Sequence, residues 1–537
     1  MILEGFALLR NARSWPAPLA VVLLSAACND SANGGSREPP TSDEQSAVGL
    51  HGWPSGGHDI RNTRSNPAEL RIGPHDAPSL AVTWTYATQG DVSATPAVVD
   101  GAVYFPDWGG FLHKVDARTG RAIWSRAISE YTGTPGAIAR SSPAVSNGLV
   151  YIGQHHGGLL MAVSARTGDL VWRARLDEHP EASLTASPLV MGDTVFQPVS
   201  SQEAGAAEDP NYPCCTFRGS MTAVDAATGR VRWKTYTVPE NGGARGGYSG
   251  GSIWGAPAID PKQRRIYVTT GNNYTVPRAV KDCQLAGGSP KACQSPDNHV
   301  DSILALDMDS GAIAWKQGTE GFDDWTNACL PGFPPNNCPI HHGPDADLGT
   351  GAQLFTIPGA RGPRLVVGAG QKNGTYWALD ACTGRIVWSA SVAPGGPLGG
   401  IMWGAATADQ RIFIAATNFD GRPHSLPNGT TITSGSYAAL DAATGRILWQ
   451  IADPSGGMGM GAVSTANGVV YAGSTSGHMY AFDARTGAVL FDFLGEGTSN
   501  AGPAISNGTV YWGNGYTNIP LGLGPSRTFY AFSVIRP

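Results

Sequence analysis

The chain has 537 residues, a net charge of −6 and 15% charged residues, below the roughly 25% usual for globular chains. An acidic balance without a basic cluster excludes nucleic acid as a partner. Glycine, at 72 residues, is roughly double its usual share of about 7%, which excludes a helical bundle and fits many tight turns around a buried sheet.

In chain order, the first segment reads as an export signal. Arg10 and Arg13 precede an apolar run from Pro16 to Ala27 that is too short to span a bilayer. It ends Leu24-Ser25-Ala26-Ala27-Cys28, similar to a bacterial lipobox with Cys28 as the lipidated residue, although Ser25 stands where Leu is usual. Residues 1–28 are therefore expected to be a signal peptide of lipoprotein type, 29–45 a flexible tether, and 46–537 one folded unit. The expected location is the periplasm, with membrane contact only through a lipid anchor at Cys28; cleavage and full secretion is the alternative. Export places the cysteines in an oxidising compartment. Cys283 with Cys293 and Cys329 with Cys338 lie close enough for local bridges, and adjacent Cys214-Cys215 could form a vicinal one. Cys382 sits in a repeat turn and is expected to be buried outside any bridge, but sequence alone does not fix pairing.

The phrase apolar-Asp-Ala-x-Thr-Gly-x-x-x-Trp recurs along the chain: Val115-Asp116 to Trp124, Val163-Ser164 to Trp172, Val224-Asp225 to Trp233, Leu306-Asp307 to Trp315, Leu379-Asp380 to Trp388, Leu440-Asp441 to Trp449, and Phe482-Asp483 to Phe491. A further copy, Tyr530-Ala531-Phe532-Ser533, lacks its last strand, which Leu80-Ala81-Val82-Thr83-Trp84 can supply from the other terminus. Two more strands precede each copy, such as Ser93–Val98 and Ala102–Phe105 around Asp100-Gly101. Four strands per unit, eight units and a terminal closure predict an all-β, eight-bladed β-propeller with docking tryptophans and no open seam.

Trp254 to Asn272 predicts a short hairpin turning at Asp260-Pro261-Lys262-Gln263 and returning through Ile266, Val268 and Thr269. Its two ends lie at one edge, so an indole and a carboxamide reach the same face, suited to a flat cofactor and a hard cation. If the Thr-Gly turns share one face of the disc, first-strand starts and second-strand ends share the other, near the axis. Thr185, Glu203, Trp254, Asn272 and Lys372 fall there, as do the insertions at 202–218, 278–298 and 318–347. His155-His156 falls at a comparable place and reads as a solvated turn rather than a metal site.

The repeats, with Trp254-Gly255 and Thr270-Gly271-Asn272, resemble the pyrroloquinoline-quinone (PQQ) alcohol dehydrogenases over nearly the whole mature chain. Trp53-Pro54-Ser55-Gly56-Gly57 with Asn62-Thr63-Arg64, Cys214-Cys215-Thr216-Phe217-Arg218-Gly219-Ser220 and Gly399-Gly400-Ile401-Met402-Trp403-Gly404 are closest to the branch acting on polyvinyl alcohol. The resemblance implies PQQ and Ca²⁺ as cofactors and a secondary alcohol or polyol as substrate. Trp254 would underlie the quinone, Asn272 and Glu203 would ligate calcium (with Glu208 as fallback), and Lys372 would bond the quinone carbonyl. Thr185, Arg218 and Trp403 would complete the cofactor site. Trp403 to Asn418 partly repeats the Trp254–Asn272 arrangement, so some of that pattern belongs to blade construction.

The family's catalytic aspartate follows a Trp, and here Thr326 stands after Asp323-Asp324-Trp325. Asp324, or else Asp323, is the expected base. No Cys-x-x-Cys-His haem motif occurs, so electrons are expected to leave to a separate soluble cytochrome c. The competing expectation is a cofactor-free propeller lipoprotein, similar to the scaffold subunit of the outer-membrane β-barrel assembly machine.

Overall fold

Short apolar runs broken at Asp-Gly or Asn-Gly fold back as antiparallel hairpins. Val98 faces Val103 around Asp100-Gly101, and Val145 faces Val150 around Asn147-Gly148, with all four turn residues at positive φ. The computed structural model describes residues 52–517 and 523–535; the export segment, the tether and Cys28 lie outside them. Among the described residues the strands form eight blades, each built on four antiparallel strands, with a short extra strand added in three of them. The last blade joins both ends of the fold: Leu80–Ala87 pairs with Thr528–Val534, followed inward by Thr509–Trp512 and Ala504–Ser506. The closure expected from the sequence is present.

The repeat phrase builds the same corner again and again. Asp116 Oδ1 accepts from the Thr119 N–H at 2.8 Å and from its hydroxyl at 2.7 Å, and Gly120 takes φ +69°. The fourth-strand Trp then docks on the next blade. Trp124 Nε1 donates to the Ala165 carbonyl at 3.2 Å, Trp172 to Ala226 at 2.9 Å, and Trp315 to Ala381 at 3.1 Å. Trp233, Trp388 and Trp449 repeat the bond, and Trp84 on the closing strand makes it to Ala117 of the first blade at 3.1 Å. Each ring lies against the turn glycine of its neighbour. A Cβ at Gly384 would stand 2.6 Å from Trp315. Glycine there meets two demands at once, a left-handed backbone and a ring in contact.

Residues 53–66 run inside the ring. Val98 donates to the Trp53 carbonyl at 2.7 Å, Val145 to Pro54 at 2.8 Å, Ile259 to Ile60 at 2.6 Å, Leu354 to Arg61 at 2.9 Å, Thr407 to Thr63 at 2.9 Å and Thr465 to Arg64 at 2.9 Å. Asn66 Nδ2 reaches the Ile505 carbonyl at 2.8 Å. All of these partners belong to innermost strands or their starts, so the segment satisfies strand edges that face the axis and floors the central channel.

Disulfides join Cys283 to Cys293, Cys329 to Cys338, and adjacent Cys214 to Cys215. Cys382 is disulfide-bonded too, contrary to the expectation that it stays outside any bridge. No helix among the described residues is long and apolar enough to cross a membrane.

Candidate active site

The hairpin forms as expected, with Ala258 opposite Tyr267 and Asp260 opposite Arg265. Beyond its return strand, Asn272 donates both amide hydrogens to backbone carbonyls, Asn273 at 2.8 Å and Trp325 at 2.9 Å. That fixes which way the amide faces and leaves Oδ1, the atom expected to meet a cation, without a partner among the described residues. Asn418, its counterpart in the partial copy, also donates twice, but its Oδ1 accepts from Arg422 N–H at 3.1 Å. Asn418 closes a loop; Asn272 presents an oxygen.

Lys372 stands beside it. Its ammonium lies 5.9 Å from the centre of the Trp254 ring, 3.0 Å from both carboxylate oxygens of Asp345, and 2.9 Å from Asp347 Oδ2. Asp347 Oδ1 accepts from the Asn272 N–H at 2.7 Å, tying the clasp to the hairpin. Burial alone would lower Lys372, but Asp345 and Asp347 outweigh it and hold the ammonium above its ordinary pKa. Burial lifts Asp345 well above the carboxylate range, with Lys372 opposing. Asp323 accepts from the Asp345 and Ala346 N–H groups, and burial pushes it up to about 7. Asp301 is 1% exposed with neither carboxylate oxygen hydrogen-bonded, and burial raises it well above the usual range, with Asp323 and Asp347 adding repulsion. Asp324 lies apart from the clasp: its Oδ1 pairs with Lys281 at 2.6 Å and its Oδ2 has no partner.

A cavity opens on the axis next to Trp254. Ser93, Arg140, Thr185, Trp254, Trp403 and Asn500 line it, each standing three residues before the Pro that precedes an inner strand or, for Trp403, before the Ala that begins one. Trp254 and Trp403 meet edge to face at 5.2 Å. The Arg140 guanidinium sits 4.6 Å from the Trp403 ring, with Trp108 and Tyr516 also in range, and no carboxylate pairs with it among the described residues. Thr185 Oγ1 lies 3.0 Å from Ser200 Oγ.

Glu203 is fully buried in the neighbouring loop. It accepts from Thr216 N–H at 2.8 Å, Phe217 N–H at 2.9 Å and the Tyr212 hydroxyl at 3.2 Å. The Tyr274 phenol stands between the two groups, bonded to Ser201 and Ser252 and raised by burial, with Asp347 and Glu203 both adding to the shift. Glu208 accepts from Asn327 Nδ2 at 2.7 Å. Arg218 is not in the cavity: it pairs with Glu240 at 2.6 Å and stacks 3.9 Å from the Tyr236 ring centre. His155 is buried against Trp108 rather than solvated, and burial drives it down to about 3, so it stays neutral.

The structure thus joins Asn272 and Lys372 through Asp347 beside Trp254, lines the cavity next to Trp254 with Thr185 and Trp403, keeps Glu203 one loop away, and leaves Asp324 and Arg218 outside. Sequence reasoning missed Asp345, Asp347 and Arg140. Arg140-Ser141-Ser142-Pro143 shares a register with Thr185-Ala186-Ser187-Pro188, a signal that could have found it. The chemistry suits a flat anion with a hard cation: aromatic walls, an unpaired guanidinium and an orphaned Trp403 Nε1–H line the cavity, while the Asn272 amide oxygen, unclaimed among the described residues, belongs to the Lys372 clasp beside Trp254.

Residues 75–317 and 299–519 match the family described as outer membrane protein assembly factor BamB. Among curated proteins, the chain is 27% identical over 480 residues to a polyvinylalcohol dehydrogenase of Sphingopyxis sp., covering 82% of this chain and 69% of that one. It is 28% identical over 501 residues to one from Pseudomonas sp., covering 87% and 73%. A solved quinohemoprotein alcohol dehydrogenase from Comamonas testosteroni shares the fold with a TM-score of 0.70 at 23% identity, over 91% of this chain and 81% of that one.

Proposed function

The chain belongs to the family described as outer membrane protein assembly factor BamB, and from that scaffold and its decorated mouth we propose a PQQ-dependent alcohol dehydrogenase acting on a secondary alcohol or a polyol such as polyvinyl alcohol. The observation that carries this reading is the clasp of Lys372 on Asp345 and Asp347, joined to Asn272 and set beside the indole of Trp254. Trp254, Trp403, Thr185 and Arg140 would hold PQQ, a flat polycarboxylate, and the Asn272 amide oxygen would be offered to Ca²⁺. Bound PQQ supplies the two-electron acceptor for the alcohol's hydride.

The chain's own residues do the rest. Lys372 offers an ammonium next to the Trp254 ring, where a donor can polarise a carbonyl. Asp345 takes the alcohol proton. Burial strengthens it as a base, and Lys372, on both of its oxygens, opposes that burial and favours the ionised form. Asp347 gives one oxygen to the Asn272 N–H, and Asp324 pairs with Lys281 away from the Lys372 ammonium, so Asp345 is the carboxylate most closely joined to Lys372. Electrons would pass to a soluble cytochrome c in the periplasm, where the lipobox-like start would tether the protein.

The test is reconstitution. Purified protein given PQQ and Ca²⁺ should develop a bound-quinone spectrum and reduce dye with secondary alcohols and with polyvinyl alcohol. Asp345→Asn should keep the spectrum and lose turnover, while Asp324→Asn should keep both. Absence of both spectrum and turnover would refute the enzyme reading and leave a scaffold, the role that the family's description names.

A further inference from the structure

The floor of the axial cavity holds a buried charge without a counter-charge. Arg64 is 6% exposed. Its Nε donates to the Val463 carbonyl at 2.7 Å, Nη1 to the Gly56 carbonyl at 2.6 Å, and Nη2 to Thr95 Oγ1 at 2.8 Å and Ser464 Oγ at 3.4 Å. All four acceptors are neutral, and one Nη1 hydrogen remains undirected. Among the described residues no Asp or Glu pairs with Arg64, and none lines the cavity. The fold nevertheless makes room for the guanidinium, because a Cβ at Gly502 would stand 2.1 Å from Nη2. Burial lowers Arg64 only to about 10, so it is charged at neutral pH. Buried charges left unpaired are costly, and proteins pair them.

Around this charge the cavity presents hydroxyl donors. Ser93 Oγ accepts from Trp108 Nε1, Thr95 Oγ1 from Arg64, and Ser142 Oγ from the Thr95 N–H at 2.9 Å. Ser187 Oγ has no partner among the described residues, and none of these four hydroxyls has an acceptor for its own hydrogen. Gly56 keeps their meeting point open: a Cβ there would lie 2.7 Å from Ser187 Oγ and 3.0 Å from Ser142 Oγ. Asn500 lines the same space, its Oδ1 buried without a partner, and the other amide orientation would present Nδ2 instead.

We propose that a small monovalent anion of the halide class binds on the propeller axis, between the Arg64 guanidinium and the hydroxyls of Thr95, Ser142 and Ser187. One negative charge balances the one guanidinium, and hydroxyl donors suit an ion that asks for no acceptor of its own. A dianion would be left half neutralised. The site ties the floor segment to the blade starts electrostatically, in addition to the backbone bonds that already hold it.

The test uses the full chain in sodium bromide, chloride or gluconate at equal ionic strength. Crystals grown in bromide should show an anomalous peak on the axis beside Arg64, and halide should raise the Tm saturably over gluconate. Gly56→Ala fills the cradle and Ser187→Ala removes a donor; the first should abolish the halide response and the second should weaken half-saturation several-fold. Arg64→Met should be indifferent to halide. If it does not fold, the other two variants and the diffraction experiment decide. Equal Tm in halide and gluconate with no axial peak would overturn the proposal. So would loss of both signals on adding PQQ, which would make this space part of the quinone pocket.

Discussion

Removing the Lys372 charge is the sharpest perturbation available. Lys372→Met deletes contacts of 3.0 Å to both oxygens of Asp345 and 2.9 Å to Asp347, whose residues are 2% and 7% exposed. Breaking a buried pair by removing one partner costs about 3–5 kcal/mol, because the other charge stays buried. The cost must depend on pH. Lys372 opposes the burial that raises Asp345, so their attraction exists only while Asp345 is ionised and is lost as pH falls through its folded pKa. Relative to wild type, the variant should therefore lose most Tm at about pH 8 and progressively less toward about pH 5, where its acids can take up protons. Lys372→Arg, which keeps the charge, should lose less and show a flatter difference. Thermal unfolding of the three proteins across that range reads the effect directly. A deficit of equal size at both ends of the range would refute the electrostatic account and make Lys372 a packing residue.

Asn272→Ala should weaken calcium-dependent PQQ binding at least tenfold in a spectral titration, while Asn418→Ala, whose oxygen is committed to Arg422, should leave it unchanged. Gly148→Ala, at φ +74° with open space around it, should cost about 1 kcal/mol; Gly384→Ala, which meets Trp315 as well, should cost clearly more, as compared by denaturant unfolding. Asp323, pushed up to about 7 by burial, favours the fold while protonated, so its contribution is lost as pH rises from about 4 through 7. Asp323→Asn lowers stability outright by spoiling one of two backbone bonds, but should flatten that part of the pH profile; an unchanged slope would show that Asp323 is not the titrating group.

The propeller was legible because its information is local and repeated. The Asp and Thr of each phrase bond each other, its Gly takes the turn, and its Trp needs only the next copy of the same phrase. The closing strand was legible by the same token, since Trp84 lacks a phrase of its own and the last phrase lacks its Trp. The site was legible only where it used blade positions. Trp254 and Lys372 stand at strand ends that the period predicts. Asp345 and Asp347 do not follow Trp325 directly, because residues 327–344, with the Cys329–Cys338 bridge, intervene and return the chain to the clasp. A search for a carboxylate adjacent to the Trp therefore stopped at Asp324.

The same limit explains why Asn272 and Asn418 looked alike. Spacing from a preceding Trp places both at the end of a second strand, and nothing in that spacing says what the amide oxygen meets. For Asn418 the partner is four residues ahead, so a loop consumes it. For Asn272 the amide hydrogens are taken by the carbonyls of Asn273 and of Trp325, the latter on a distant insertion, and the oxygen is spared. Function at this propeller mouth thus resides in which polar atoms remain unspent once the fold has satisfied itself. The Asn272 oxygen, the Arg140 guanidinium and the last Nη1 hydrogen of Arg64 qualify by that measure, while the equally polar Asn418 and Arg218 do not.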